Sequence, residues 1–326
     1  VSTYYASVVA IELTELIGED DWWYVSDATS ATQTDEYVER VSKTITNTDS
    51  LDQNWLVIGM SNTAFNNLTN SSVCRLTRLV DGDTLTTLNE YQYEGEDLTE
   101  EMPYVSVFAG VSSGASSSIK FSIDTKDVTA LTNNTYTASS LIGLRLNRFQ
   151  SYVGEYNGTP DLDNGASFNN RHNGTISATT ATGLEYVLIG SMVSNLGGAG
   201  RNIKQKMLWN DPTQIPNNIL SNLEQVINQD TTDLIPFPFV DAQTVLDSTD
   251  YDWEWQFKET YASGTAGVNS SGIAIFSTTV HPLAQVVYGA TAGEVQSAGS
   301  EVGEVFASGS SEGEVYNSGK EVGEIG

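Results

Sequence analysis

The sequence predicts an all-β protein: two tandem, related antiparallel β-sandwich modules of jelly-roll type, followed by a C-terminal β tail of decapeptide repeats. Three observations lead to this prediction, namely strand-type alternation, an internal duplication and a glycine series with a period of ten residues. The chain of 326 residues is long enough for two ordinary domains and an extension. The predicted boundaries are 1–138 and 139–282 for the modules and 283–326 for the tail.

The strands are predicted from alternating apolar and polar residues between turns rich in Asn, Asp, Gly and Ser. The segment Tyr251–Lys258 is the clearest example, because its four aromatic residues alternate with Asp252, Glu254, Gln256 and Lys258. Such alternation is typical of an antiparallel sheet that is buried on one face and solvated on the other. We therefore expect Trp253 and Trp255 to point into a core.

The duplication is predicted from short segments that recur in the same order at an offset of about 133 residues. The matching pairs are Trp55–Gly59 with Tyr186–Gly190, Pro103–Phe108 with Pro236–Val240, and Ser118–Asp124 with Asp252–Lys258. Three further stretches resemble one another and are interpreted as module edges: Ser7–Leu13, Ser140–Leu146 and Ser270–Ile275. Each match is short, but their common order and spacing indicate two copies of one module.

One short helix is predicted in the second module, from about residue 216 to 229. Pro216 suits the first turn of a helix, and the apolar residues that follow have helical spacing. These residues are Ile219, Leu220, Leu223, Val226 and Ile227.

The tail contains Gly-Glu-Val or Gly-Glu-Ile every ten residues. Each decapeptide offers about two apolar side chains, whereas fixing ten backbone residues costs on the order of 10 kcal/mol. We therefore expect the tail to become ordered by stacking against symmetry-related copies of the chain. The predicted assembly positions are Gly293, Val295, Gly303, Val305, Phe306, Gly313, Val315, Tyr316, Gly323 and Ile325.

A glycine-punctuated tail joined to β modules rich in Ser, Thr and Asn, with almost no Cys or His, resembles bacteriophage virion accessory proteins. These include head fibres, capsid decoration proteins and tail-fibre segments. The resemblance implies a trimer or other symmetric oligomer on a virion surface or in an extracellular assembly. It implies copies of the chain and other virion or surface-assembly proteins as partners, and supplies no catalytic residues.

Composition excludes several function classes. Acidic residues outnumber basic ones 42 to 14, and a net charge of −28 disfavours nucleic acid and anionic lipid as partners. The sequence contains no apolar run long enough for a membrane span. Cys74 is the only cysteine, which excludes intrachain disulfides and cysteine-based zinc sites, and it is interpreted as a small apolar strand residue.

No catalytic or cofactor motif is present, so the chain is predicted not to be an enzyme and to carry no cofactor. His172 and His281 are the only histidines, and both are interpreted as loop residues. Acids next to aromatic residues, at Asp20–Trp23 and Asp252–Trp255, leave a glycosidase as a minor alternative, because that chemistry needs only two carboxyl groups.

The main alternative function is carbohydrate binding through aromatic platforms, with Trp22, Trp23 and Tyr24 as the candidate residues and a host glycan as the ligand. A structural calcium ion is a further alternative. The turns Asp81–Asp83 and Asp161–Gly165 place oxygen ligands at alternate positions, although neither completes a calcium-binding loop.

Overall fold

A computed structural model describes residues 21–47, 53–66, 71–94, 101–113, 117–128, 134–162, 167–176, 184–195, 201–211, 218–229, 234–245, 250–259, 267–279, 295–297 and 315–317. Nearly all regular structure in these residues is β-strand, and the exception is a 3-10 helix at Leu146–Arg148. The all-β prediction is therefore confirmed. The chain divides into two compact units, Val1–Val280 and His281–Gly326.

The first module is built from nine strands in two antiparallel sheets. One sheet has the order β1-β9-β4-β7, with the short β2 also paired to β9, and the other has the order β3-β8-β5-β6. Eight long strands in this order form a jelly roll. The strands are β1 (Trp22–Asp27), β2 (Ala31–Thr32), β3 (Val38–Thr46), β4 (Gln53–Ala64), β5 (Ser71–Val80), β6 (Thr86–Glu94), β7 (Glu101–Ser113), β8 (Ser118–Asp127) and β9 (Thr135–Arg145).

The second module repeats this arrangement strand for strand. Its sheets have the orders β10-β18-β13-β16, with β11 paired to β18, and β12-β17-β14-β15. Pairing of β16 with β6 at Leu234 and Gln92 joins one sheet of each module. The strands are β10 (Tyr152–Asn157), β11 (Asp161–Leu162), β12 (Asn169–Ile176), β13 (Leu184–Asn195), β14 (Arg201–Asp211), β15 (Asn218–Gln229), β16 (Leu234–Val245), β17 (Tyr251–Glu259) and β18 (Gly267–Ser277).

The boundary between the modules lies later than the sequence predicted. Strand β9 crosses the predicted boundary at 138 and pairs with β1 and β4, so it closes the first module. The stretch Ser140–Leu146 resembles Ser270–Ile275 because both belong to the last strand of a module. The connection between the modules is the segment from the 3-10 helix to Ser151.

The predicted helix over residues 216–229 is wrong, because residues Asn218–Gln229 form strand β15. Ile219, Leu223 and Ile227 are four residues apart, a spacing that fits one face of a helix and also one face of a strand. In the structure Leu223 and Ile227 are register partners of Met207 and Ile203 of β14. Pairing with β15 gives hydrogen-bond partners to the backbone N–H and C=O groups along the edge of β14. A helix over these residues would leave those groups without partners from this segment.

Each module has its own apolar core between its two sheets. The first core contains Trp23, Trp55, Leu76, Phe121 and Leu141, all at most 2% exposed. The second is built around aromatic residues of β14 and β17. Trp253 and Trp255 are fully buried while Asp252 is exposed, which confirms the predicted alternation along β17.

A third apolar cluster joins the two modules. It contains Leu56 and Leu144 of the first module, Val187 and Phe276 of the second, and Phe149 of the connection. The Phe149 and Phe276 rings lie 4.6 Å apart between centroids. Because this cluster is buried as completely as the cores within the modules, the tandem is held together by packing as well as by its covalent link.

In the tail, two short strands pair in parallel: β19 (Val295–Ser297) and β20 (Val315–Asn317). Val295 is the partner of Val315, and Gln296 is the partner of Tyr316. The partners are twenty residues apart, which is two decapeptide repeats. Equivalent repeat positions therefore stack on one another, as they do in a solenoid.

Candidate functional site

The first candidate site is the surface of β1, β9 and β4 that points away from the first core, which we call the module 1 outer face. It comprises Trp22, Tyr24, Ile58, Met60 and Ile142. In register, Tyr24 pairs with Ile142 and Ile142 pairs with Ile58, so the three residues form a row across the sheet. Tyr24 is 56% exposed and Met60 is 40% exposed, so apolar side chains on this face meet solvent.

The structure separates the three predicted glycan-binding residues. Trp23 is 2% exposed and lies 6.3 Å from Trp55 and 6.2 Å from Phe121 between ring centroids, so the prediction of a surface platform is wrong for this residue. Trp22 is partly buried against the cluster between the modules. Trp22 and Tyr24 lie on the same face of β1, and their role in glycan binding stays a prediction.

Three of the predicted assembly positions lie in the described part of the tail. Val295 is in β19, and Val315 and Tyr316 are in β20. The other seven lie outside the described residues: Gly293, Gly303, Val305, Phe306, Gly313, Gly323 and Ile325.

A polar cluster that sequence reasoning missed lies between the sheets of the second module; its Arg171, His172 and Ser271 are buried, whereas the Glu155 side chain is 40% exposed. The ring of His172 is 2.8 Å from Glu155 Oε2 through Nδ1 and 2.8 Å from Ser271 Oγ through Nε2. Arg171 donates from Nε to Ser271 Oγ at 2.7 Å and from Nη2 to the carbonyl oxygens of Asn157 and Thr159, both at 2.8 Å. The cluster ties β12 to β10, β18 and the residues that follow β10.

Local backbone geometry creates this cluster. The pairing of β12 with β17 shifts between Asn170 and His172, so the neighbours Arg171 and His172 are both buried instead of alternating. The prediction of His172 as a loop residue is therefore wrong. The sequence around it, rich in Asn and ending in Gly174, has the composition of a turn and gives no signal of a bulged strand.

The order Ser271, His172, Glu155 matches that of a nucleophile, a base and an orienting acid. The environment does not suit that chemistry, because Ser271 is fully buried and its oxygen accepts a hydrogen bond from the Arg171 guanidinium. Because Ser271 has no exposed surface, its oxygen cannot contact a substrate in the folded module. We interpret the cluster as a structural clamp between the two sheets.

Asp21 and Asp81, two of the candidate acids and calcium ligands, are engaged in the structure, and Asp20 lies outside the described residues. Asp21 is 2% exposed and lies 2.9 Å from Arg148 Nε, so it belongs to an ion pair beside the connection. Asp81 and Gly82 have positive φ angles, and the Asp81 carboxylate accepts from the Ser118 backbone N–H. Within the described ranges, which omit Asp163, Asn164 and Gly165, no three His, Cys, Asp or Glu residues are grouped as metal ligands.

Cys74 is buried in β5, which confirms its interpretation as a small apolar strand residue. Burial raises the pKa of its thiol to about 12. The side chain is therefore a neutral part of the first core at physiological pH and has little thiolate character.

The fold and these surfaces define a tandem jelly-roll protein with a repeat tail. No family model matches the chain, and no curated protein matches it. Among the strands and turns that the structure describes, no helix has the length and apolarity needed to span a membrane.

Three solved structures are similar to the chain at low identity. The N-terminal CBM22-1–CBM22-2 tandem domain of Paenibacillus barcinonensis Xyn10C is 10% identical with a TM-score of 0.23, over 82% of this chain and 96% of that one. The Macrobrachium rosenbergii nodavirus structure is 10% identical with a TM-score of 0.17, over 85% and 97%. The PBSX exported protein XepA is 7% identical with a TM-score of 0.20, over 77% and 86%. These values carry no argument about function.

Proposed function

We propose that this chain is a structural subunit of a virion or other surface assembly, as a fibre or decoration component that forms a symmetric oligomer through its repeat tail. The proposal rests on one observation: β19 and β20 pair in parallel, two repeats apart, with like positions in register. That arrangement can be extended by further repeats without changing its geometry.

The energetics of the tail favour its extension by other chains. Two strands of three residues form too small a stack to offset the entropy of ordering the repeats. A strand at the end of a stack also presents unpaired N–H and C=O groups that another strand can satisfy. Repeats from neighbouring copies supply both the missing apolar contacts and the missing hydrogen bonds.

The two jelly rolls suit a structural role, because their polar interior groups serve packing. The Arg171 and His172 side chains cross-link the sheets of the second module through Ser271. We propose accordingly that the chain has no catalytic activity and needs no cofactor. The chain is rich in uncharged polar residues and has a net charge of −28. This composition fits a location on a virion surface or outside the cell.

A pair of substitutions in the full-length chain tests the role of the tail. Val295→Lys with Val315→Lys places two cations at register partners of β19 and β20, and we expect the oligomer to dissociate into single chains in sedimentation velocity. Val128→Lys is the control, because Val128 is 43% exposed in the first compact unit. An unchanged oligomer in the tail variant contradicts the proposal that the tail drives assembly.

The second candidate function is carbohydrate binding by the module 1 outer face. One observation favours it: Trp22 and Tyr24 alternate along β1 on the same side, and Tyr24 is 56% exposed. Aromatic rings of this kind can stack on sugar rings with the polar tip in water.

A glycan array with the full-length protein tests this second function. We expect binding of a glycan that is lost in Tyr24→Ala and retained in Leu85→Ala, since Leu85 is 43% exposed outside the module 1 outer face. Absence of binding by the wild-type protein, or equal binding by the Tyr24 variant, contradicts the proposal that this face recognises a glycan.

A further inference from the structure

The duplication allows one sheet of each module to be compared position by position: β3-β8-β5-β6 in the first module and β12-β17-β14-β15 in the second. The comparison has a fixed register, because the pairing of the first strand with its neighbour shifts at the same place in both sheets. The shift lies between Glu39 and Val41 in β3 and between Asn170 and His172 in β12. Glu39 is therefore equivalent to Asn170.

In the first module, the outer face of this sheet holds an aromatic ring beside two cations. The Tyr37 ring centroid lies 3.5 Å from Arg75 Cζ and 4.3 Å from Lys126 Nζ. Arg75 is paired with the Asp124 carboxylate, with Nε and Nη2 each 3.0 Å from Oδ2. The Tyr37 hydroxyl donates to Glu90 Oε2 at 2.6 Å. Two carboxylates therefore accompany the two cations.

The second module repeats the ring and its two cations. The Phe168 ring centroid lies 5.0 Å from Lys206 Nζ and 4.4 Å from Lys258 Nζ. Lys204 lies on the same face, two residues before Lys206, and is the register partner of Lys258. We call Phe168, Lys204, Lys206 and Lys258 the lysine patch. All four side chains are partly exposed.

Three differences between the modules make this end of the face more positive in the second module. Register places Gln256 where the first module has Asp124, Asn170 where it has Glu39, and Lys204 where it has Val73. Acids remain close by, because Glu224 is the register partner of Lys206 and Glu254 follows along the outer face of β17. The added positive charge is therefore confined to the end of the face nearest Phe168.

The folded chain alone gains little from this arrangement. Lys204 and Lys258 are opposite each other on neighbouring strands, and like charges at such positions are destabilising. Among the side chains that the structure describes, neither Lys206 nor Lys258 forms an ion pair. A negatively charged partner would turn this repulsion into attraction.

The lysine patch is also separate from the contact between the modules. The main strand contacts of β12, β14 and β17 lie within the second module. The first module packs instead against the other sheet of that module, at Val187 of β13 and Phe276 of β18. The lysine patch therefore keeps its partial exposure in the tandem.

The repeat tail has the complementary charge. Residues 283–326 contain seven glutamates and one lysine. One glutamate recurs in every Gly-Glu-Val or Gly-Glu-Ile, so the tail carries a carboxylate at intervals of ten residues. Single ion pairs at a surface are weak, but a regular series of carboxylates allows several pairs to act together in an oligomer.

The tail also has aromatic residues beside two of these carboxylates. Phe306 follows Glu304 by two residues, and Tyr316 follows Glu314 by two residues. Side chains two residues apart lie on the same side of an extended segment. Such a segment can place its carboxylate between lysines and its aromatic ring against Phe168.

We propose that the lysine patch binds the acidic repeat tail of a second copy of this chain. This inference rests on the proposed function, and it adds a contact between a tail and a jelly roll to the contacts between tails. Charge selects this occupant. Copies with a net charge of −28 repel one another, and the lysine patch gives an acidic tail a place where that repulsion is reversed.

Charge removal in the full-length chain tests the lysine patch. We expect Lys206→Gln with Lys258→Gln to weaken association about tenfold or more in a sedimentation concentration series. Lys120→Gln with Lys126→Gln is the matched control, because it removes the same charge from the equivalent face of the first module and should leave association unchanged. Equal association of the patch variant and the control overturns the proposal.

Charge reversal identifies the occupant. We expect Lys206→Glu with Lys258→Glu to weaken association, and lysine at all four glutamates of the Gly-Glu-Val and Gly-Glu-Ile triplets to do the same. These glutamates are Glu294, Glu304, Glu314 and Glu324. Both sets of changes in one chain restore opposite charges, and we expect association to recover about tenfold relative to either set alone. Absence of recovery shows that the lysine patch serves another acidic partner and overturns the proposal.

Mixing the two singly reversed chains distinguishes a contact between copies from a contact within one chain. In the mixture, the lysine-bearing tail of one chain meets the glutamate-bearing patch of the other. We expect the mixture to associate more strongly than either chain by itself. If only the doubly reversed chain recovers, the tail binds its own module and the proposal of a second copy is wrong.

These measurements separate this inference from the proposed function. If the wild-type chain is monomeric at all concentrations, both fail. If it assembles and Val295→Lys with Val315→Lys dissociates it, while the lysine-patch variant assembles like its control, only this inference fails and assembly through the tail stands.

Discussion

At the scale of single residues, glycines set how closely large rings approach the sheets. Gly143 of β9 lies directly under the ring of Trp23, and a Cβ atom at this position would be 2.1 Å from Trp23 Cε2. The ring cannot move aside, because it is packed between Trp55 and Phe121. Glycine is required here by the closeness of the neighbouring side chain.

We expect Gly143→Ala to lower the free energy of unfolding by about 2 kcal/mol, the usual cost of overpacking a filled core. Urea denaturation followed by tryptophan fluorescence measures the change. Ser140→Ala, a partly buried position in the same strand, serves as the control and should change stability little. A Gly143 variant as stable as the control would show that the Trp23 ring has room to shift.

Buried cysteine and tyrosine side chains make the stability of the fold depend on pH in the alkaline range. Burial raises the pKa of Cys74 to about 12 and also raises the pKa of Tyr136, Tyr156 and Tyr186. The folded state then keeps protons that the unfolded chain releases from about pH 8.5 for cysteine and about pH 10 for tyrosine. Stability is therefore complete below these values and decreases as the pH rises through them.

The measurement is urea denaturation at pH 7, 9 and 10.5 for the wild-type chain and Cys74→Ala. We expect the free energy of unfolding to decrease with pH in both proteins, and less steeply in the variant. Stability that is constant or rises over this range would contradict the burial of these groups.

At the scale of elements, strand β12 shows how a bulge adds a polar clamp to a sandwich. The shift in pairing at Asn170 and His172 turns two neighbouring side chains inward. Arg171 then contacts Ser271 of β18 and the backbone after β10, while His172 stacks on Trp255 with ring centroids 5.7 Å apart. The clamp links both sheets at a point where the core is not purely apolar.

We expect Arg171→Met to destabilise the chain by about 3 kcal/mol, because it removes a buried charged donor from several acceptors at once. Lys258→Met is the control: Lys258 is partly buried in the adjacent β17 and lies 4.4 Å from the Phe168 ring centroid. Thermal unfolding of both variants measures the difference. If the two variants lose equal stability, the clamp adds nothing beyond ordinary packing.

Several elements could be predicted from the sequence because side-chain alternation reports directly on strands. Tyr251–Lys258 has a clean period of two, and its buried face is the one predicted. Strand β15 could not be distinguished from a helix by the same reasoning, since Ile219, Leu223 and Ile227 fit both periods. Pairing with the edge of β14 makes this segment a strand. This is a tertiary effect that the local sequence does not indicate.

The candidate sites were less predictable than the strands. The aromatic run at Trp22–Tyr24 predicted one shared platform, but strand alternation sends Trp23 into the core and leaves Trp22 and Tyr24 on the opposite face of β1. The clamp at Arg171 depends on a bulge, and a local sequence rich in Asn does not distinguish a bulge from a turn. The module boundary was displaced because Ser140–Leu146 marks the end of a module.

At the scale of the whole molecule, duplication and repetition are the organising features. Two copies of one jelly roll pack together within the chain through an apolar cluster that includes Leu144 and Phe276, and the tail stacks equivalent positions two repeats apart. A stack of this kind can continue into further copies of the chain. We therefore propose that the stack of the tail is completed by copies of the same chain.

The mass of the full-length protein in solution tests this account most directly. Size-exclusion chromatography with light scattering, over a range of concentrations, should return a fixed multiple of the chain mass of 35.2 kDa. A mass of one chain at every concentration, with the tail still attached, would contradict the assignment to an assembly.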